Sequence, residues 1–551
     1  MRGRAGRPLQ AVAGNGACPN SVCPLFRSFV NQLGLISESA IGMYSACNLG
    51  VIMSGKSVSF DDFCKKFGFV EYPFNSYTSE NEVDRAEALF INTSLYSPIV
   101  QAFDNKQTVL LTGDRGTGKT AIIYDFMRRL NSKDAITVSI DDFSSLPEEY
   151  SSVQFYEFLT RHLSEELFKK IASDKKSGSK LSRDDRVLLS YYYARFTNQA
   201  TKNVVVRKVS DLQNGFATKV GVYIYNILKV PVNMGANLTV HFVGNLISRS
   251  MGLTEPPHSW NDYFPELTIN VDNDFHDAEG SFEALVRLTE LSKKVGYTRV
   301  VFAFDKVDED SRLGNAAEKI SLFIKPILTD NKFLLSGQFQ VIIALWVIPF
   351  NMLRDQTRTQ KLYSPIIQWD SGDLITAFDR RVAVFSRSER KHFDIISSSL
   401  DGAGRSKFLS LSNKNPRDLW HLCDKVFRAQ YRIDSSSANI SKEAFELGMD
   451  DFVKGFNFYE YYPRPTRAKS NSLDVYSYAK HLLKLKGSEF TKNQLNEAAG
   501  IGSSIHNYVA GMRSMGLIEE SGNSGGSTTY SIRDPKIVHA LDRGIEISKN
   551  A

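Results

Sequence analysis

The run Gly113-Asp114-Arg115-Gly116-Thr117-Gly118-Lys119-Thr120 follows the apolar stretch Thr108-Val-Leu-Leu-Thr112 and precedes Ala121-Ile-Ile-Tyr-Asp-Phe-Met, which reads as a helix to about Leu130. The spacing is G-x-x-x-x-G-K-[ST], and a buried strand before it with a helix after it is the context that gives this spacing meaning. Glycines let the backbone turn tightly, so that successive N–H groups point inward at phosphate oxygens. The partial positive charge of a helix N-terminus adds to that attraction. In such a loop Lys119 reaches the β- and γ-phosphates and the Thr120 hydroxyl ligates Mg²⁺. The stretch therefore predicts a loop that binds a nucleotide, ATP with Mg²⁺, through Gly113 to Thr120.

Working outward, Ala135-Ile-Thr-Val-Ser-Ile reads as a second strand, Phe282–Val295 as a helix, and Thr298-Arg-Val-Val-Phe-Ala-Phe and Phe339-Gln-Val-Ile-Ile-Ala-Leu-Trp-Val-Ile as two further buried strands. Strands alternating with helices imply βαβ units and a parallel sheet. The expected fold is α/β: a three-layer P-loop core. The third of these strands ends at Asp305, followed by Lys306-Val-Asp308-Glu309. A carboxylate at the C-terminal end of a core strand is expected beside the loop, where Asp305 would hold Mg²⁺ directly or through water. Asp308 or Glu309 would orient the attacking water as general base; taken alone, the same residues read equally well as a solvated acidic loop. Downstream, Asn415-Pro416-Arg417 starts a helix whose arginine is placed to touch a γ-phosphate. Arg380 and Arg381 admit two readings, fingers reaching a neighbouring subunit's nucleotide or a helix-surface ion pair, and the ion pair is favoured.

These residues together resemble the ATPase core of the AAA+ superfamily, and within it the branch shared by origin-recognition initiators, transposition ATPases and bacterial STAND-type ATPases. The resemblance spans about 75 to 545. It implies that Asp305 is the Walker B residue, that Arg417 is the second sensor arginine and that 386–458 is a helical lid. Most of that superfamily places Glu directly after the Walker B Asp; here Lys306 stands instead, and the D-x-x-D-E form from Asp305 to Glu309 is closer to the STAND type. Asn351 is the candidate for the first sensor, near Trp346.

The expected domains are a weakly patterned extension (1–52), the ATPase core (53–385) with a mostly helical insertion around 150–270, the lid (386–458), a basic linker (459–472) and a C-terminal domain (473–551). The last resembles a winged helix-turn-helix: helices from Leu473, from a cap at Thr491 with Gln494 at the capping-box position, and over Ser503–Met515, then two strands joined by a Gly/Ser loop. Its third helix carries only one arginine, Arg513, and the wing begins with Glu519 and Glu520. Phosphate contacts dominate DNA affinity, so double-stranded DNA through 464–533 and partner docking stand as equal readings.

The chain has 551 residues and a net charge of +6, small for its length, so any nucleic-acid site must be local. Five cysteines, Cys18, Cys23, Cys47, Cys64 and Cys423, form neither a disulfide framework nor a zinc site, which suggests a reducing compartment. No apolar run long enough to span a membrane is read, and a cytoplasmic location is expected. The N-terminal stretch has Arg2, Arg4 and Arg7 and no acid before Glu38, a transit-peptide composition. It lacks a clean amphipathic period, so a tail or an upstream extension of a start at Met53 is favoured. Three functional readings follow: a DNA-coupled ATPase, a signalling or defence ATPase that assembles as a homo-oligomer on a trigger and acts through a separate effector protein, and a nucleotide-gated scaffold with little turnover.

Overall fold

The computed structural model describes residues 58–130, 134–173, 181–198, 200–201, 233–234, 238–239, 268–269, 277–387, 398–465, 473–524 and 526–549. The expectations for residues 1–52, including Cys18, Cys23 and Cys47, lie outside these, as do most of 202–276 and linker residues Arg467 and Lys469.

In chain order, helix α1 (Phe60–Lys66) is capped by the Ser59 side chain, which accepts from the Asp62 N–H. A 3-10 turn (Ser79–Arg85) leads into α2 (Ala86–Leu89) and α3 (Tyr96–Asp104). Strand β1 (Val109–Gly113), α4 (Lys119–Arg129), β2 (Ala135–Ile140), α5 (Ser152–Ser173) and α6 (Arg183–Phe196) follow. Then come α7 (Ala278–Val295), β3 (Arg299–Phe304), α8 (Ala317–Thr329) and β4 (Gln340–Trp346). The four strands form one parallel sheet in the order β1-β4-β3-β2. Segment 363–366 continues this direction along the free edge of β1, through bridges from Val109 to Tyr363 and from Thr112 to Ile366.

Every residue of β1 and β4 is buried, as expected for strands covered on both faces. The period of two divides them between two cores. Leu110, Phe302, Phe304 and Ile343 pack with Leu159 and Leu163 of α5, Leu285 and Leu288 of α7 and Ile324 of α8. Leu111, Val301, Ala303, Ile342 and Ala344 pack with Ile99 and Phe103 of α3 and Ile122 and Phe126 of α4. Each of the larger side chains contributes about 1.5–3 kcal/mol by leaving water, the alanines less, and together they fix the three layers. Helices α5 and α6, expected as an insertion, join the first of these cores.

The strand that ends at Asp305 is not the neighbour of β1: β4 lies between them.

Among the described residues, a further continuous hydrophobic cluster gathers the helices beyond 370. Helix α9 (Ser371–Phe385) joins α10 (Gly402–Leu411), α11 (Pro416–Ile433) and α12 (Lys442–Lys454). Phe63, Phe67, Phe69 and Phe74 pack into it against Phe378, Trp420 and Phe427, and the Val70 N–H donates to the Phe385 carbonyl at 2.9 Å. Residues 58–74 and α9, grouped with the ATPase core in the sequence reading, thus share their core with the helices beyond 400. The same cluster runs on into α13 (Val475–Leu482), β5 (Glu489–Thr491), α14 (Lys492–Ala499), α15 (Ile505–Ser514), β6 (Ile518–Ser524), β7 (Ser527–Ile532) and α16 (Pro535–Arg543). The last strands form an antiparallel sheet, β5-β7-β6. Thr491 and Gln494 make both bonds of the capping box read from the sequence; β5 and α16 were not anticipated.

The start of the expected linker is no linker. Tyr459, Tyr461 and Tyr462 are buried, and the Tyr462 hydroxyl donates to Asp534 at 2.9 Å. The Pro and Arg residues of 459–472 give a loop composition, but its leading aromatics find a core. Cys64 and Cys423 are buried free thiols. Among the described residues no helix is long and apolar enough to cross a membrane.

Candidate functional site

Gly116 and Gly118 have φ of +79° and +88°, a left-handed backbone that only glycine adopts without strain. Gly118 is the N-cap of α4, with no side-chain cap and no acid in the first turn. The first N–H groups of α4 are therefore left for a ligand, at the end of the helix where an anion is favoured. Lys119 folds back over the loop and donates to the Gly113 carbonyl at 3.0 Å and the Asp114 carbonyl at 2.7 Å. Burial lowers its pKa, against the pull of Asp308, Asp305 and Asp114.

Asp305 stands at the end of β3, its N–H donating to the Ile140 carbonyl at 2.9 Å. Burial raises its pKa, while a hydrogen bond from Thr120 and one from the Lys306 N–H oppose the shift. The strand order notwithstanding, Thr120 and Asp305 meet across the loop. A hydroxyl and a carboxylate are hard oxygen donors that fit Mg²⁺. No group of three His, Cys, Asp or Glu residues is arranged for a metal among the described residues, so a cation held here would draw its other oxygens from phosphate and water. Lys306 takes a left-handed φ of +58° and turns its amine to Glu80 at 2.9 Å. Burial would lower its pKa, yet the Glu80 bond prevails and raises it.

Asp308 and Glu309 lie on the single turn Val307–Glu309. Their surroundings separate them. The Asp308 carboxylate accepts from Arg115 Nε at 2.6 Å, whereas Glu309 makes no side-chain hydrogen bond or ion pair among the described residues. Glu309 is exposed at the cavity mouth, and partial desolvation there, with the charge of Asp308 added, raises its pKa.

A cavity of about 200 Å³ joins these parts. Its lining combines residues 115–120, Asp305, Asp308, Glu309 and Arg417 with the aromatic and apolar side chains of Tyr77, Phe90, Ile91, Trp369 and Trp420. The aromatic wall was not read from the sequence. Arg417 lies 3.9 Å from Glu460, and its Nε is buried with no partner among the described residues.

Two bonds tie the loop to its cover. Asn415 caps α11 with its side-chain oxygen and donates from Nδ2 to the Arg115 carbonyl at 2.5 Å. The Trp369 indole donates to the Thr117 carbonyl at 2.9 Å. A Cβ on Gly116 would meet Asn415 Oδ1 at 2.6 Å and Arg417 Cβ at 2.9 Å. Gly116→Ala is therefore expected to push α11 off the loop and to weaken nucleotide binding by about tenfold or more, some 1.4 kcal/mol. Titration calorimetry checks this; unchanged affinity would mean that the clamp is irrelevant to binding.

Other candidates fall elsewhere. Asn351 is exposed and does not line the cavity; Trp346 ends β4 beside it. Arg381 is 4% exposed and forms an ion pair with Glu82 at 2.5 Å, with bonds to the Pro73 and Ser76 carbonyls. That corrects both readings of it, since the pair is buried rather than on the surface and the arginine is not free to reach another subunit. Its partners come from a segment about 300 residues earlier. Arg380 donates to the Ala88 carbonyl at 2.5 Å.

His421 stacks on Tyr77 with ring centroids 3.6 Å apart. Burial, and then the Arg417 charge, lower its pKa from 6.5 to about 4. The unfolded chain takes up this proton first, so stability is unaffected above 6.5 and falls as pH drops toward 4. For a half-buried ring the loss is on the order of 1–2 kcal/mol. His421→Phe keeps the stack, and its melting temperature is expected to fall less than wild type's between pH 7 and 5; parallel curves would refute the assignment.

No family model matches the sequence, and no curated protein matches it. Solved structures do match. The ADP form of the Aeropyrum pernix ORC2 protein aligns with 62% of this chain and 92% of its own, at 11% identity and a TM-score of 0.24. So low a score carries no argument, and the function is read from the geometry.

Proposed function

We propose that this chain binds ATP with Mg²⁺ in the cavity and hydrolyses it as an AAA+-like switch. The observation that carries this reading is the meeting of Lys119, Thr120 and Asp305 at the uncapped N-terminus of α4. Lys119 exchanges its two carbonyl partners for β- and γ-phosphate oxygens. Thr120 and Asp305 hold the Mg²⁺, which when bound offsets phosphate charge. The aromatic side chains of the lining take the base and Arg417 serves the γ-phosphate. Glu309 accepts a proton from water as the water oxygen bonds to the γ-phosphorus; the bond to the β-phosphate oxygen breaks and ADP leaves. Asp308, tied to Arg115, is the less available base. Asn415 and Trp369 make the position of α9 to α12, the lid in this reading, depend on the loop. The test is equilibrium binding of ATP to the full chain with Mg²⁺ or with EDTA, in wild type and Lys119→Ala. Binding that needs Mg²⁺ and is lost in the variant supports the reading; equal binding in both overturns it.

We read α13 to α16 with their sheet as a winged-helix module. A specific observation favours protein docking over DNA for it. Arg513 is paired with Glu520 at 2.8 Å and Arg533 with Glu519 at 3.3 Å, so a carboxylate stands beside each arginine that would meet phosphate and adds repulsion there. A switch that assembles with copies of itself or an effector protein is therefore favoured over a DNA motor. Double-stranded DNA is expected to bind no tighter than about 10⁻⁴–10⁻⁶ M at physiological salt. Fluorescence anisotropy checks this; nanomolar binding at that salt would restore the DNA-coupled reading.

A further inference from the structure

The loop spacing demands nothing of its third residue, yet Arg115 there has a defined set of partners. Its Nε donates to Asp308 Oδ2 at 2.6 Å and its Nη2 to the Asp308 carbonyl at 2.9 Å. The guanidinium lies over the Trp346 ring, 4.5 Å from its centre, and Nη1 reaches the Tyr459 carbonyl at 3.5 Å. Both members of the ion pair are largely shielded, at 14% and 11% exposed, so it is not a solvated surface pair. The sheet register builds the stack: Gly113 pairs with Trp346, which sets the ring under the loop. The Trp346 N–H is buried without a partner among the described residues, so what this residue offers is its face. A planar fork with several fixed donors suits such a site better than a lysine.

We propose that Arg115 is a positioning residue, which holds Asp308 by side chain and backbone so that the Val307–Glu309 turn is fixed and Glu309 is left as the free carboxylate over the cavity. The proposal rests on the hydrolytic reading above. Arg115 acts through Asp308: its guanidinium is committed to Asp308, Trp346 and the Tyr459 carbonyl, while its backbone N–H serves the loop as its neighbours do. The bond to the Tyr459 carbonyl, which also accepts from Asn315 Nδ2 at 2.8 Å, ties the same arginine to the lead into the C-terminal helices.

The test is a double-mutant cycle on the full chain with Arg115→Ala, Asp308→Asn and both, measuring kcat at saturating ATP with Mg²⁺ and, separately, the Kd for ATP. Arg115→Ala is expected to lower kcat by about 10- to 100-fold, the cost of a turn misplaced by about 1 Å, with Kd changed by no more than about twofold. The double variant should be no slower than Arg115→Ala by more than about twofold, as for two residues acting as one unit. Arg115→Lys keeps the charge and should recover part of kcat, and it carries the test if the alanine variant does not fold. An Arg115→Ala enzyme with full kcat and weakened ATP binding would make Arg115 a phosphate ligand and overturn the role. Multiplicative losses in the double variant would also overturn it. A wild-type chain that binds ATP but does not turn it over fails the hydrolytic reading itself, and this role with it.

Discussion

Glu309→Gln is expected to lower kcat for ATP by about 10²- to 10⁴-fold, the range for loss of a general base, with the Kd for ATP in Mg²⁺ nearly unchanged. The substitution keeps size and shape and removes only the acceptor for the water proton. Asp308 does not substitute for it, because its carboxylate is bound by Arg115 at 2.6 Å. Asp308→Asn should cost less, about tenfold, since it loosens the turn but leaves the base. The same environment predicts a pH dependence. Partial desolvation at the cavity mouth and the Asp308 charge raise the Glu309 pKa although the residue is exposed, and the base works only when ionised. Turnover should thus rise with pH through a limb lying above the ordinary glutamate range, and Glu309→Gln should lose that limb. Steady-state turnover beside equilibrium binding checks both; a glutamine variant with wild-type kcat would remove Glu309 from the mechanism.

Lys536→Ala is expected to destabilise the fold by about 3–5 kcal/mol, the cost of leaving one member of a buried ion pair alone. Lys536 is fully buried, 2.9 Å from Asp418, in a contact whose angles fall short of a directed hydrogen bond. Its amine also sits 4.3 Å from the centre of the Phe456 ring and 4.7 Å from that of Tyr461. Asp418 directly follows Arg417, so the pair joins α16 to the turn of α11 that covers the loop. Burial already raises the Asp418 pKa, against Lys536. Without the lysine, Asp418 takes a proton instead of staying charged, which places the loss at the lower end near neutral pH and enlarges it as pH rises. Lys536→Met with Asp418→Leu should recover most of the stability, because matched apolar partners need no compensation. Chemical denaturation at pH 6 and pH 8 measures the sign. A single variant as stable as wild type would mean that the pair contributes nothing.

What the sequence made legible was local. Gly113 to Thr120 is read from spacing, and the alternation that divides Leu110 from Leu111 between two cores is a property of any strand covered on both faces. The caps at Asn415 and Thr491 lie within three residues of their partners. What escaped was contact across long separations. Arg115 meets Asp308 across 193 positions and Arg381 meets Glu82 across 299, and no period in either segment marks the pairing. The same holds for β4 standing between β1 and β3, and for the aromatic run from Phe63 to Phe74, whose partners Phe378 and Phe427 lie hundreds of residues on. Tyr461 and Tyr462 were absorbed into a linker by the Pro and Arg residues beside them. Asp308 and Glu309 were indistinguishable as neighbours in sequence, and only the arginine from the loop separates them.

The most direct test of the account is phosphate release from ATP by the purified full chain, with Mg²⁺ and with EDTA, for wild type, Lys119→Ala and Asp305→Ala. The account predicts turnover that requires Mg²⁺ and falls by about 10²-fold or more in each variant, as expected when charge stabilisation of a transferring phosphoryl group is removed. Turnover that persists in both variants, or that ignores Mg²⁺, would contradict it, because the hydrolysis would then occur somewhere other than the loop at the head of α4.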